Sequence, residues 1–236
     1  MKSLACTSKS ISRYNNGTRR IILRPPEPVE FYAGQYLQLI VQDDKFPFSI
    51  ASAPQSKEEL ELHIKPTPNS EESDRIEALL DFSERLEIEI PLGDCFITNA
   101  PNHPLILIAA STGVTQMKSI IEHLAQTGFE QPVYLYWGVL SDSDFYLNEL
   151  CETWAKNYNE FQFVPVVSET DNTPAWQGRK GLVGEAVLKD FEDLTNLTIV
   201  VSGSPGMVYA TYDAFIAEGM PPTNMKSDIF SYAPRS

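Results

Sequence analysis

LILIAASTGVTQMKSIIEHLAQTG, residues 105–128, is the stretch that decides the fold. Leu105 to Ala110 is an unbroken apolar run, which marks a parallel strand covered on both faces rather than one with a wet side. The run ends in three small residues, Ser111, Thr112 and Gly113, and the following TQMKSIIEHLAQ has helical apolar spacing closed by Gly128. Strand, tight turn and helix in this order predict one βα unit. The rhythm then recurs: VYLYWGV (133–139) leads to DFYLNELCETWAKNY (144–158), FQFVPVVSE (161–169) to GLVGEAVLKDF (181–191), and LTIVVSG (197–203) to PGMVYATYDAFIAEG (205–219). SDIFSY (227–232) reads as a short final strand. Residues 99–236 are therefore expected to form an α/β domain, a doubly wound parallel sheet of about five strands. Its ligand site would lie at the carboxyl ends of the strands, where the winding direction switches.

Upstream of a linker-like TNAPNHP (98–104) the rhythm changes. TRRIILR (18–24), QYLQLIV (35–41), PFSIAS (47–52), LELHIK (60–65) and RLEIEIPLG (85–93) are short β-rich runs, and the last two alternate with period two. Turn residues such as Asn15-Asn16-Gly17 and Pro25-Pro26 separate them. Residues 1–98 are expected to form an all-β N-terminal barrel. One helix, SEESDRIEALLDF (70–82), carries Ile76, Leu79 and Leu80 at helical spacing and is expected to cap it. In KFPFSIAS (45–52), Pro47 lacks an amide donor and is predicted to start a strand. Alternation then puts Phe48 and Ile50 on one face and Ser49 and Ala51 on the other.

The totals narrow the possible functions. A chain of 236 residues with 42% hydrophobic and 11% aromatic content can bury two cores. The net charge of −14 disfavours nucleic acid and anionic lipid, so a phosphorylated ligand would have to be held locally, by helix N-termini and a few cations. Cys6, Cys95 and Cys151 are dispersed, as are His63, His103 and His123, which argues against a disulfide framework or a metal site. The N-terminus has no sustained apolar segment and no stretch is long enough to span a bilayer, so the expected location is cytoplasmic.

Two turns carry chemistry. Ser111-Thr112-Gly113 at a helix N-terminus offers free amides to a phosphate group, although the same turn would serve as a plain helix cap and G-x-G-x-x-G is absent. Ser202-Gly203-Ser204-Pro205-Gly206 is one residue short of G-x-S-x-G, which raises a hydrolase with Ser204 as nucleophile. That reading fails: its histidine must follow the serine, and the last histidine is His123.

The order of features, FPFSIAS and GQYLQL in a β domain, IPLGDCF at the joint, then LILIAASTG, VYLYWG, VVSGSPGM and a terminal aromatic segment, resembles the ferredoxin-NADP reductase superfamily. Within it, the pattern is similar to the bacterial NAD(P)H:flavin reductases, including the luciferase-associated type. The resemblance implies that Pro47, Phe48, Ser49 and Ile50, with His63 and Ile64, border a flavin, and that the Ser49 hydroxyl is the catalytic group, hydrogen-bonding near flavin N5. It implies that Ser111, Thr112 and Gly113, together with Gly203, Ser204, Pro205 and Met207, hold NADH or NADPH, with Ser202 bordering the nicotinamide. Phe230 and Tyr232 would shield the rings or pin down a last strand. Hydride would pass between two stacked rings at the junction of the domains.

The chain departs from the family at two arginines, replaced by Phe46 and Leu140. Loss of the phosphate contact at position 46 fits a flavin (riboflavin, FMN or FAD) that is weakly held and leaves as product. Lys118, Arg179 and Lys180 remain as candidate phosphate partners. The expected activity is an NAD(P)H:flavin oxidoreductase supplying reduced flavin to an accepting enzyme. The alternatives are a reductase component passing electrons to a separate protein, or a flavin- or nucleotide-binding module without turnover.

Overall fold

The computed structural model describes residues 1–169 and 175–235. The chain divides into two compact units: Met1–Thr98 with Lys118–His123, and Asn99–Met117 with Leu124–Ser236.

Six strands build the first unit: β1 (Lys2–Arg13), β2 (Arg19–Arg24), β3 (Tyr36–Val41), β4 (Asp44–Ser49), β5 (Leu60–Ile64) and β6 (Arg85–Leu92). All pair antiparallel, in the order β4-β3-β6-β1-β2-β5. Alternation explains β6, where Leu86, Ile88 and Ile90 are fully buried while Glu87 and Glu89 point away. Just past β4, the Ala51 amide donates to the Glu61 carbonyl on β5 at 2.7 Å, which joins the two ends of the sheet as a barrel requires. Helix α1 (Glu71–Phe82) begins at Ser70, whose side chain accepts from the Ser73 amide, and its first turn carries Glu71, Glu72 and Asp74. Its Ile76 and Leu80 enter the barrel core with Leu79 against them, so α1 is the expected cap.

One local expectation is corrected. Pro47 does not start a strand: β4 begins at Asp44, and Pro47 lies inside it, opposite Gln38. The ladder tolerates it because β4 is the outermost strand at its end of the sheet, where one side needs no donor. LELHI alternates with period two in sequence, yet β5 is buried at every position. Glu61 is covered by Lys118, of a segment that belongs to this unit, and His63 lies against Tyr14.

The second unit holds β7 (Leu105–Ala110), β8 (Val133–Val139), β9 (Phe161–Val167), β10 (Arg179–Lys180), β11 (Thr198–Ser202) and β12 (Met225–Lys226). They pair parallel throughout, in the order β10-β9-β8-β7-β11-β12. The winding reverses between β7 and β11. The helices are α2 (Val114–Thr127), α3 (Asn148–Asn157), α4 (Val183–Asp190), α5 (Pro205–Ala217) and α6 (Ile229–Tyr232). Gly128 ends α2 at a φ of 110°, its amide donating to the Leu124 carbonyl. The expected strand at SDIFSY is instead α6, preceded by the two-residue β12. A helical turn there brings Phe230 against Tyr209 and Tyr212 of α5, with ring centroids 5.6 and 5.3 Å away. Among the described residues, no helix is long and apolar enough to cross a membrane.

Because Leu80 is buried in the barrel core, Leu80→Ala is expected to cost about 2–5 kcal/mol. Loss of the cap in Ser70→Ala should cost only about 1 kcal/mol. Urea unfolding followed by circular dichroism checks both, and equal effects would contradict the placement of α1.

Candidate functional site

In the second unit, three strand ends are drawn together by glycines. The Ser111–Gly113 segment leaves β7 as a single 3₁₀ turn that leads directly into α2. Ser111 sits at a φ of 50°, a left-handed conformation uncommon for serine, and the buried Trp137 on β8 donates its Nε1 hydrogen to the Ser111 carbonyl at 2.8 Å. Gly113 is required by close approach, since a Cβ there would lie 2.2 Å from the Ser202 carbonyl oxygen at the end of β11. A Cβ on Gly203 would meet both Ala110 Cβ and Met207 Sδ at 3.1 Å. On β8, a Cβ on Gly138 would lie 2.8 Å from Val183 at the start of α4. Ser204 and Pro205 start α5, with the Ser204 side chain accepting from the Met207 amide.

These strand ends border a cavity of about 440 Å³, lined among others by Ala110, Ser111, Leu140, Leu182, Glu185 and Met207. It lies at the carboxyl ends of the parallel strands, where open α/β sheets bind their ligands. Among the described residues, Glu185 is the one charged group in its lining. The Thr115 hydroxyl, in the first turn of α2, is buried without a hydrogen-bond partner among the described residues, and it does not line the cavity. The amides of a helix N-terminus at this turn suit a ligand with anionic oxygens.

In the first unit, Ser49 ends β4 opposite Tyr36 and is half-buried, and its hydroxyl has no hydrogen-bond partner among the described residues. Phe46 and Phe48 pack against the barrel core. Arg75 of α1 lies over the Phe46 ring, 5.7 Å from its centroid, and its guanidinium is engaged by Asp44 at 2.7 Å. Position 46 is thus a packing position, and the cation near it is already paired.

Two residues past Ser49, the Ala51 main chain meets a buried polar network. Glu61 Oε1 accepts from Arg20 Nε at 2.8 Å and from His63 Nε2 at 2.7 Å, while Glu61 Oε2 accepts from Lys118 Nζ at 3.2 Å. Lys118 also meets Glu122 at 2.9 Å. Burial pushes the Glu61 carboxyl up, but the hydrogen bonds from His63 and Arg20 and the Lys118 charge outweigh it and hold it well below the usual carboxylate range. Burial drives His63 down despite the Glu61 hydrogen bond, so the ring is neutral and donates through Nε2. Burial and the Glu61 charge raise Tyr14, beside His63, to about 12.

Set against the expected site residues, the turn members converge: Ser111, Thr112, Gly113, Ser202, Gly203 and Met207 meet at the ends of β7 and β11. His63 and Ile64 have their side chains inside the first unit, in the network and the core, so a flavin could reach only their main chain. Two phosphate candidates are corrected. Lys118 is buried between Glu61 and Glu122, and Arg179 is paired with Asp190. Phe230 packs on α5, and Tyr232 is exposed. Sequence reasoning missed Glu61: Glu61 and Lys118 are 57 positions apart, and no local pattern links them.

Comparison with known proteins agrees with this architecture. Residues 107–213 match the oxidoreductase NAD-binding domain family. The chain is 38% identical to an NAD(P)H-flavin reductase of Vibrio harveyi, over 90% of this chain and 92% of that protein. It is 34% identical to a probable flavin reductase of Photobacterium leiognathi, over 96% and 98% of the two chains. Among solved structures it is similar to the Amycolatopsis cytochrome P450 reductase GcoB, with a TM-score of 0.86 at 28% identity, covering 96% of this chain and 69% of that one. The chain belongs to the ferredoxin-NADP reductase superfamily, in its flavin reductase branch.

The network predicts a pH signature. Because the folded state holds His63 neutral, the unfolded chain takes up the proton first, and stability falls as pH drops below about 6.5. The stability from Glu61 is complete above its ordinary 4.5 and is lost only as pH falls through its depressed folded value. Glu122, raised by burial, acts with the opposite sign. The melting temperature should therefore decline from about pH 7 to about pH 5, and His63→Gln should flatten that decline. An unchanged slope in the variant would contradict the neutral buried ring.

Proposed function

We propose that the protein is an NAD(P)H-dependent flavin reductase in which flavin is a substrate, bound oxidised and released reduced. The observation that carries this reading is the unpartnered Ser49 hydroxyl at the end of β4, in a chain that matches named flavin reductases almost end to end. Bound together, a reduced nicotinamide supplies hydride at C4 and a flavin accepts it at N5.

The protein has to position and desolvate two flat rings, and such a transfer asks little acid–base chemistry of side chains. Ser49 donates a hydrogen bond to the flavin edge as electron density rises there, an interaction stronger in the transition state than in the ground state. Phe48 packs beside the ring. The α2 amides take the anionic oxygens of the dinucleotide, and the cavity beside Leu140 and Leu182 receives its adenosine end. Weak flavin retention is supported by Phe46, a packing residue where a phosphate-binding arginine would otherwise stand. A flavin that leaves reduced would serve a separate flavin-accepting enzyme.

The same cavity favours NADH over NADPH. A 2′-phosphate needs a cation, whereas the described residues of the cavity's lining are apolar apart from a few hydroxyls and the Glu185 carboxylate. Arg179 is held away by Asp190.

Two measurements test this. Nicotinamide oxidation should be stimulated by added riboflavin, FMN or FAD, and Ser49→Ala should lower kcat about tenfold or more while shifting stability by less than about 0.5 kcal/mol. Oxidation without flavin dependence, or an unaffected Ser49→Ala, counts against the reading. The kcat/KM for NADH should exceed that for NADPH by about tenfold or more, and Leu140→Arg should narrow the gap, since about 1.4 kcal/mol corresponds to each factor of ten. A wild-type preference for NADPH would remove the argument from the cavity.

A further inference from the structure

The chain just after Ser49 is held more tightly than its position at a strand end requires. The Ile50 amide donates to the Gln35 carbonyl at 3.1 Å and the Ala51 amide to the Glu61 carbonyl at 2.7 Å. Ser52 Oγ accepts from the Glu61 amide at 3.2 Å and donates to the Glu59 carbonyl at 3.3 Å. The next two carbonyls are taken by side chains. Lys118 Nζ reaches the Ala51 carbonyl at 3.4 Å, and Ser119 Oγ donates to the Ser52 carbonyl at 2.8 Å.

Lys118 is an unusual choice for this contact. A lysine covering apolar surface normally keeps its ammonium in water, because dehydrating the charge is costly. Here the head is turned inward with its side chain 8% exposed, and two carboxylates, Glu61 and Glu122, compensate it. Arg20 and His63 complete the set of groups around Glu61. Ser119 is fully buried beside it. The arrangement fixes a main-chain segment and leaves the neighbouring Ser49 hydroxyl unengaged.

We infer that Lys118 and Ser119 are positioning residues: by clamping the Ala51 and Ser52 carbonyls they fix the direction in which Ser49 presents its hydroxyl. The inference rests on the flavin-reductase reading, in which that hydroxyl meets the flavin. Neither residue touches substrate. Their effect runs through backbone geometry, where misplacement by about 1 Å can cost about a hundredfold in rate.

The test uses the full chain with Lys118→Met, which keeps the aliphatic stem, and Lys118→Arg and Ser119→Ala. Amide hydrogen exchange in the absence of ligands reads the clamp itself: Lys118→Met and Ser119→Ala should speed exchange at Ile50 and Ala51 by about tenfold or more, while amides of the second unit stay protected. Unchanged protection at these two amides overturns the clamp. Steady-state kinetics read the consequence: kcat should fall about tenfold in Lys118→Met, with the KM for NADH within about twofold, and Lys118→Arg should recover part of it. Faster exchange with wild-type kcat would mean that the contacts only stabilise, and overturns the positioning role. A wild-type protein that shows the exchange behaviour without flavin-dependent turnover would instead sink the functional reading and leave the clamp standing.

Discussion

The Glu61 carboxylate is the interaction on which the first unit depends. Its side chain gathers Arg20, His63 and Lys118, and its main-chain amide and carbonyl tie Ser52 and Ala51 to β5. A buried carboxylate without partners would be expelled or protonated, so each surrounding donor is needed for the others to be buried. The result is a charge-balanced network tied to the main chain just past Ser49, the hydroxyl that the proposed reading turns toward flavin. Under that reading a fixed main chain has a chemical purpose, because stacking catalysis depends on geometry more than on a reactive side chain.

The second unit solves a different problem. A protein carrying fourteen net negative charges repels dinucleotide phosphates at long range, so attraction must come from short-range features. Gly113 against the Ser202 carbonyl, Gly203 against Ala110 and Gly138 against Val183 let the backbone of β7, β8 and β11 close up where α2 begins. Trp137 holds the strained Ser111 turn from below. Under the proposed reading, Leu140 and Glu185 disfavour a phosphate on the 2′-oxygen of the ribose.

Much of this is legible in the chain because it is local. LILIAA followed by STG and an amphipathic stretch specifies strand, turn and helix within 24 residues, and the alternation in RLEIEI places Leu86, Ile88 and Ile90 without reference to anything distant. What depends on contacts far apart in sequence is not legible. LELHI alternates in sequence although β5 is buried throughout, and Lys118 reads as a surface cation until Glu61 is found beside it. SDIFSY has strand composition, yet the aromatic contact of Phe230 with α5 selects a helical turn, a tertiary override of a weak local preference. Pro47 reads as a boundary because proline usually is one, and only the strand order explains its place inside an edge strand.

Direct hydride transfer between two bound rings is the central claim, and a single-turnover experiment addresses it most directly. The protein would be mixed anaerobically with oxidised riboflavin and NADH carrying deuterium at the transferable C4 position, and the loss of flavin visible absorbance followed. The account predicts bleaching that requires the protein and slows by about two- to fivefold on deuteration, as expected when positioning brings the rings to a near-attack geometry and the C–H bond breaks in the observed step. Flavin that stays oxidised in the presence of protein and NADH would contradict it.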